Sequence, residues 1–260
     1  MSAALHVRGL VKHFGGVHAV KGISFDVHPG ECVALIGPNG AGKSTSFACV
    51  AGQHALTQGE VRWAGQRIDR LSPAQRQRLG VARTFQVAQT FEALTVRANL
   101  ELLLAAPHGL RAGNRLLDRP RAAADALLAQ VDLTALADTD AADLPYGAKK
   151  RLELAMALAG LPASGPRLLL LDEPAAGLAA AERAALMALV SQLAASGVAV
   201  LYTEHNMDAV FGVADRVLVL IDGQIAAQGT PDEVARDATV RQRYLGQGFA
   251  LSEPAGEEGA

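Results

Sequence analysis

One segment limits the folds open to this chain more than any other feature. It reads Gly37-Pro38-Asn39-Gly40-Ala41-Gly42-Lys43-Ser44-Thr45 and follows the apolar run from Cys32 to Ile36. The segment fits the pattern G-x-x-x-x-G-K-[ST], which joins a buried strand to the N-terminus of a helix. In such a loop the backbone N–H groups turn inward around a phosphate, and the helix dipole adds to the attraction. The sequence therefore predicts a site for a nucleoside triphosphate, and the alternative is a chance glycine-rich turn.

The residues of this phosphate loop have different expected roles. Lys43 is expected to reach the β- and γ-phosphates, and Ser44 is expected to ligate Mg²⁺. The remaining members, Gly37 to Gly42 and Thr45, are expected to surround the nucleotide.

Two adjacent acids end a second apolar run. Leu168 to Leu171 is followed directly by Asp172 and Glu173. On their own, two acids at this place are an ordinary polar strand end. In a chain that also has a phosphate loop, Asp172 is expected to bind Mg²⁺, either directly or through one of the ligands of the ion. Glu173 is expected to accept a proton from an attacking water. Together they predict hydrolysis of the nucleotide.

Apolar patterning places the phosphate loop in an α/β fold. The chain is 50% hydrophobic but only 4% aromatic, which favours helices and short aliphatic strands. Three continuous apolar runs are typical of parallel strands covered on both faces, and three alternating segments are typical of half-buried antiparallel strands. The continuous runs are Cys32 to Ile36, Leu168 to Leu171 and Val198 to Leu201; the alternating segments are Leu5 to Val11, Lys21 to Val27 and Gly59 to Ile68. We expect a P-loop NTPase with a mixed central sheet and an antiparallel β layer at its edge or as a second layer.

The middle of the chain has a different pattern. The strand signal disappears between about Gln86 and Gly160, and helical spacing replaces it in Thr95 to Ala106, Ala122 to Val131 and Ala148 to Ala159. We therefore expect an ATP-binding core of residues 1–86 and 161–250, an inserted helical subdomain of residues 87–160, and a disordered acidic tail of residues 251–260. The segment from Pro107 to Arg121, which contains four arginines, is interpreted as a solvated loop.

Charge and cysteine content exclude several other classes. The 24 basic residues nearly balance 26 acidic ones, so no global field would hold the protein on nucleic acid. Cys32 and Cys49 each lie in an apolar stretch, which favours two reduced core thiols and a cytosolic setting. Neither a signal-peptide pattern nor a run of about 18 apolar residues is present, so we expect a chain that is neither exported nor embedded in a membrane.

The order of the motifs resembles that of the ATP-binding cassette ATPases. The phosphate loop is followed by Gln86 in Arg83-Thr84-Phe85-Gln86, then by Leu144-Pro145-Tyr146-Gly147-Ala148, by Asp172-Glu173-Pro174 and by His205. The resemblance implies that the chain binds ATP and Mg²⁺. It further implies that Gln86 contacts Mg²⁺ and couples to a membrane partner, and that His205 contacts the γ-phosphate.

Two further sites follow from the same resemblance. Phe14 stands where the family stacks an aromatic ring on adenine, although it is also compatible with a core position on an edge strand. The family works as a head-to-tail dimer, which implies that Tyr146 and Gly147 of one subunit cover the ATP held by Lys43 of the other.

The signature segment departs from the common sequence L-S-G-G-Q. Pro145, Tyr146 and Ala148 replace its Ser, first Gly and Gln, so one hydrogen bond to the γ-phosphate is expected to be missing. Pro145 suits the first turn of the helix that follows. Ala176 and Ala179 also stand where many relatives carry Ser and Asp.

Several longer segments look like the LivG-type ATPases of branched-chain amino acid importers. Among them are Phe14-Gly15-Gly16-Val17, Asp172-Glu173-Pro174-Ala175-Ala176-Gly177-Leu178 and Glu204-His205-Asn206-Met207. This likeness implies two transmembrane permease subunits, a second LivF-like ATPase or a second copy of the chain, and an exported solute-binding protein. It implies a peripheral position on the cytoplasmic face of the inner membrane. Urea or an aromatic or short-chain carboxylate is the alternative solute. A soluble cassette acting on ribosomes or DNA and a P-loop kinase are the alternative classes.

Overall fold

A computed structural model describes residues 5–84, 89–105, 120–162 and 164–246. Ten strands occur in these residues: β1 Leu5–Phe14, β2 Val17–Val27, β3 Cys32–Ile36, β4 Gln58–Trp63, β5 Gln66–Arg67, β6 Val81–Arg83, β7 Leu168–Asp172, β8 Ala199–Thr203, β9 Arg216–Ile221 and β10 Gln224–Gly229. The described helices are α1 Lys43–Ala51, α2 Pro73–Arg78, α3 Val96–Ala105, α4 Arg121–Gln130, α5 Tyr146–Ala159, α6 Ala180–Ala195, α7 Met207–Phe211, α8 Pro231–Arg236 and α9 Ala238–Val240. Short 3₁₀ turns precede α5, and a π-helical turn, Arg241–Leu245, follows α9.

The central sheet has six strands in the order β10-β9-β3-β8-β7-β6. The five strands from β9 to β6 are parallel, and β10 is antiparallel to β9. All five residues of β3 and of β8 are buried, as their continuous apolar sequences predict. The sheet is therefore mixed, as expected. β6 and the β9–β10 hairpin were not predicted.

A second sheet has four antiparallel strands in the order β2-β1-β4-β5. Its apolar face includes Leu5, Phe25 and Trp63, which belong to the same buried cluster as Phe47 of α1 and Leu35 of β3. The antiparallel strands therefore form a second layer over the phosphate-loop helix, rather than an edge of the central sheet.

Three α-helices lie among the described residues between β6 and β7, where helical spacing was predicted. α3 packs against α4 and α5, and these helices contribute Leu100, Leu128 and Leu152 to one buried cluster. One local prediction is wrong by a single position. Pro145 is the N-cap of α5, with an extended ψ of 151°, and the first helical residue is Tyr146. The boundaries between the core and the helical subdomain stay predictions.

Three further expectations concern the two cysteines, membrane-spanning helices and the segments that the structure does not describe. Cys32 and Cys49 are both buried and free, as predicted, and burial raises the pKa of the Cys32 thiol to about 12. No described helix combines the length and the hydropathy that crossing a bilayer requires. Gln86, nearly all of the arginine-containing segment, and the acidic tail lie outside the described residues.

Candidate active site

The phosphate loop connects the end of β3 to the start of α1 and is closely enclosed by neighbouring backbone. Gly37 has a φ of 147°, and a Cβ atom there would lie 1.9 Å from the carbonyl oxygen of Leu220. Gly42 has a φ of 99°, and its Cβ would lie 2.4 Å from the carbonyl oxygen of Ala19. Only glycine fits these positions, because both the backbone angle and the neighbouring carbonyl exclude a side chain.

Lys43 is the first residue of α1, and its side chain folds back over the loop. Its Nζ atom donates to the carbonyl oxygens of Gly37 at 2.6 Å and Pro38 at 3.0 Å. Lys43 is only 7% exposed. Burial lowers the pKa of this ammonium group, and the negative charge of Glu173 opposes that effect. The structure therefore brings the lysine of the loop within electrostatic reach of the acid at the end of β7.

The two acids after the Leu168 run lie beside the end of the neighbouring strand. Thr203, the last residue of β8, donates its hydroxyl to Asp172 Oδ1 at 2.8 Å. The same hydroxyl oxygen accepts from the backbone N–H of Glu173 at 3.1 Å. Thr203 thus orients both acidic residues, a role that sequence analysis missed.

Glu173 and His205, both predicted to be catalytic, are in direct contact. His205 Nε2 lies 3.0 Å from Glu173 Oε1, and their side chains are 45% and 19% exposed, respectively. Glu173 has a φ of 49°, an unusual value for a residue with a side chain. Backbone strain of this kind persists only where the surrounding structure maintains it, and it is concentrated at functional sites. The arrangement provides a partly accessible carboxylate with an imidazole beside it.

Glu204 links the turn after Glu173 to the start of the His205 segment. Its carboxylate accepts from the backbone N–H of Ala175 at 2.8 Å and of His205 at 3.1 Å. Burial raises the pKa of Glu204, while these backbone hydrogen bonds act in the opposite direction. Glu204 belongs to the segment Glu204-His205-Asn206-Met207, but no local sequence pattern predicts its role.

Arg83 approaches Asp172 from the other side. Its guanidinium donates to Asp172 Oδ2 at 2.8 Å, and the two side chains are 15% and 14% exposed. Arg83 is the last residue of β6, and β6 pairs with β7, which ends in Asp172. The sequence places Arg83 three residues before Gln86 but contains no local sign of this ion pair.

Phe14 lies at the end of β1 and is 44% exposed, so it is not a core residue. Lys12 Nζ lies 4.7 Å from the centroid of the Phe14 ring, and the His54 ring meets it edge-on with centroids 5.2 Å apart. Lys12 Nζ also donates to the carbonyl oxygen of Ala55 at 2.9 Å. The aromatic surface is therefore supported by neighbouring side chains and partly open to solvent.

The signature residues lie at the start of α5 and contact the segment that leads into α6. A Cβ atom at Gly147 would lie 2.7 Å from Glu182 Oε1, and one at Gly177 would lie 3.3 Å from the Tyr146 ring. Tyr146 is 44% exposed. The Gly177–Glu182 segment thus supplies a neighbour to both Tyr146 and Gly147.

The donor atoms at this site suit Mg²⁺ held jointly with phosphate oxygens. Ser44 offers a hydroxyl, and Asp172 offers a carboxylate that is already oriented by Thr203. Among the described residues no group of three or more His, Cys, Asp or Glu side chains could hold a metal. Mg²⁺ commonly takes one or two protein oxygens and completes its coordination with water and substrate phosphates. The residues present therefore fit an ion that arrives with a nucleotide.

Together, the enclosed phosphate loop, the acids at the end of β7 and the facing histidine define an ATPase of the P-loop class. The sequence profile of the ABC transporter family matches residues 20–176, and the chain belongs to this family.

Individual relatives support the same assignment. LivG of Escherichia coli (strain K12), a high-affinity branched-chain amino acid transport ATP-binding protein, is 38% identical over 257 residues, covering 94% of this chain and 98% of LivG. BraF of Pseudomonas aeruginosa, which carries the same description, is 38% identical over 258 residues with the same coverage. The ADP conformation of MJ1267, an ATP-binding cassette of an ABC transporter, gives a TM-score of 0.82 at 29% identity and covers 95% of this chain and 100% of that one.

Proposed function

We propose that this chain is the ATP-hydrolysing subunit of an importer for branched-chain or other amino acids, acting at the cytoplasmic face of the inner membrane. The contact between Glu173 and His205, at 3.0 Å beside Asp172, is the observation that carries the site assignment. The relatives LivG and BraF are described as branched-chain amino acid transport proteins, which supports the solute class. Urea or an aromatic or short-chain carboxylate is the alternative solute, because the solute does not contact the ATPase.

Nucleotide binding uses the phosphate loop. Lys43 now donates to two neutral carbonyl oxygens, those of Gly37 and Pro38. Exchanging them for negatively charged β- and γ-phosphate oxygens gives stronger hydrogen bonds, because donor and acceptor then carry opposite charges. The backbone N–H groups of the loop, up to Thr45, surround the phosphates, and Phe14 stacks on the adenine.

Ser44, Asp172 and Gln86 are the residues that hold Mg²⁺ in this proposal. When bound, the ion neutralises charge on the phosphate oxygens. Thr203 keeps Asp172 in one orientation by donating its hydroxyl to Oδ1.

Hydrolysis requires one water molecule and one proton acceptor. The water oxygen attacks the γ-phosphorus, the bond from this phosphorus to the bridging oxygen breaks, and ADP leaves. Glu173 accepts the proton of the water, while His205 holds the Glu173 carboxylate and contacts the γ-phosphate. The 19% exposure of Glu173 leaves room for a water molecule to reach it.

A second cassette completes the nucleotide site. Tyr146 and Gly147 of one subunit cover the ATP held by Lys43 of the other, and the partner is a LivF-like ATPase or a second copy of this chain. The partial positive charge at the N-terminus of α5 faces the phosphates and substitutes for the missing serine hydroxyl at Pro145. Binding across the dimer is therefore weakened and not abolished.

The permease partners dock at an apolar groove of about 470 Å³ between the end of β6 and the helices α3 and α5. Its apolar lining includes Val81, Ala82, Phe91, Leu103, Met156 and Ala157. Phe91 in this lining is 45% exposed and offers an aromatic surface to a partner. A short amphipathic helix of a permease would cover this surface.

Purification of the tagged protein from its native membranes in mild detergent tests the transport assignment. Recovery of two multi-span proteins and a second ATPase supports the importer, and the matching solute-binding protein then allows the solute to be identified. Recovery with ribosomal or nucleic-acid partners contradicts transport. Phosphate release without any acceptor molecule distinguishes hydrolysis from kinase activity.

A further inference from the structure

The Asp172 carboxylate has a cationic partner already in place. Oδ2 accepts from the Arg83 guanidinium at 2.8 Å, and Oδ1 accepts from the Thr203 hydroxyl at 2.8 Å. Both members of the ion pair are about 85% shielded from solvent, since their side chains are 15% and 14% exposed. A hydrogen bond between opposite charges is strong where water is largely excluded.

Other residues fix the position of the guanidinium. Its NH1 group donates to the side-chain oxygen of Gln53, which follows α1. Its Cζ atom lies 5.1 Å from the ring centroid of Phe47, which is part of α1. The charge is therefore held between the phosphate-loop helix and the end of β7, unlike that of a flexible surface arginine.

A fixed positive charge beside a metal ligand has a direct electrostatic consequence. It neutralises much of the carboxylate charge that attracts a cation, and it repels a divalent ion more strongly than a monovalent one. Such interactions are poorly screened at partly buried sites, where the effective dielectric constant is about 20. Nucleotide phosphates supply the negative charge that overcomes this repulsion.

We propose that Arg83 is a positioning residue that weakens divalent-cation binding at Asp172 and so makes it depend on bound nucleotide. This inference rests on the proposed role of Asp172 in holding Mg²⁺. Arg83 acts through its ion pair with Asp172.

Mn²⁺ is the probe for the test, because electron paramagnetic resonance measures its free concentration without any turnover. The full-length protein is titrated with Mn²⁺ in two series, one without nucleotide and one with a saturating, constant concentration of ADP. In Arg83→Gln, the Mn²⁺ concentration at half-saturation without nucleotide is expected to fall at least fivefold relative to the original protein, so that the difference between the two series becomes smaller. In Arg83→Lys, which keeps the charge, it is expected to stay within twofold.

Two further variants keep the test decisive. Arg83→Met retains the aliphatic stem against Phe47 and replaces the Gln variant if thermal unfolding shows that the latter is not folded. Arg62→Gln removes a guanidinium that pairs with Glu60 on the four-stranded sheet, and it should leave Mn²⁺ binding unchanged.

Unchanged or weaker Mn²⁺ binding in a folded, neutral Arg83 variant overturns the inference and leaves the proposed function intact. Failure of the original protein to bind Mn²⁺ with ADP overturns the proposed site itself.

Discussion

The imidazole Nε2 of His205 lies 3.0 Å from Glu173 Oε1, although the two residues are 32 positions apart in the sequence. Parallel pairing of β7 with β8 produces this contact, because it brings the carboxyl ends of both strands to one edge of the sheet. Asp172 pairs with Thr203 in the register, so the residues that follow them are also neighbours. The acid, the imidazole and the phosphate loop are thus positioned by strand order.

Replacing Glu173 with Gln should separate binding from hydrolysis. The amide keeps the size of the side chain but cannot accept the proton, and a general base contributes about 10²- to 10⁴-fold in rate. We expect phosphate release to fall by that factor while the dissociation constant for ATP stays within about threefold. A variant that hydrolyses ATP within about threefold of the original rate would show that Glu173 is not the base.

Thr203→Val should weaken both stability and the metal site. The hydroxyl donates to Asp172 Oδ1 and accepts from the Glu173 N–H, and Thr203 is 2% exposed. A hydrogen bond to a charged group contributes about 1.5–3 kcal/mol, so we expect a loss of that size in the free energy of unfolding measured in urea. Thr203→Ser retains the hydroxyl and should recover most of the loss. A Thr203→Val variant as stable as the original protein would show that the hydroxyl does not contribute to stability.

Local sequence patterns predicted those residues whose roles depend only on the segment in which they stand. The phosphate loop, β3, β7 and β8 were predicted because a glycine pattern or an apolar run is complete within about ten residues. Thr203, Glu204 and Arg83 were not given roles, because their functions depend on which strands lie side by side. That order, β8-β7-β6, is a property of the whole sheet.

The strands at the end of the sheet and the exact ends of the helices were also harder to predict than the central strands. The β9–β10 hairpin lies at one end of the central sheet, and β10 alternates between exposed and half-buried residues, which weakens its apolar pattern. The helix α5 starts one residue later than predicted, because Pro145 is compatible with either the cap or the first turn of a helix.

Glu204 should make stability depend on pH. Burial raises its pKa above the ordinary value of 4.5, so the folded protein retains the proton at pH values where the unfolded chain has released it. The resulting stabilisation is complete below pH 4.5 and is lost as the pH rises through the raised pKa. We expect Glu204→Gln to lack this loss, so its free energy of unfolding should rise relative to that of the original protein as the pH increases from 4.5 through the raised pKa of Glu204. A difference that stays constant over this range would contradict the expectation.

Gly42→Ala should abolish nucleotide binding through the backbone. The new Cβ would lie 2.4 Å from the carbonyl oxygen of Ala19, so the loop or β2 must shift. Gly40→Ala is the matched control, because Gly40 also has a positive φ but its Cβ would meet no atom within 4 Å. We expect a loss of about 1 kcal/mol in unfolding free energy for the control and a larger loss for Gly42→Ala. Calorimetric ADP binding that survives equally in both variants would exclude a steric role for the Ala19 carbonyl.

Phe14→Ala should weaken the binding of ATP but not of inorganic tripolyphosphate. Phe14 is 44% exposed and is predicted to stack on adenine, an interaction worth about 1–3 kcal/mol where it has been measured for bases. That range corresponds to an increase of about 5- to 150-fold in the dissociation constant for ATP. Tripolyphosphate has no base, so its affinity reports the phosphate loop alone, and Phe14→Tyr keeps the ring and should bind ATP like the original protein. Equal weakening of both ligands in Phe14→Ala would mean that Phe14 supports the loop through Lys12 and His54 and does not contact the base.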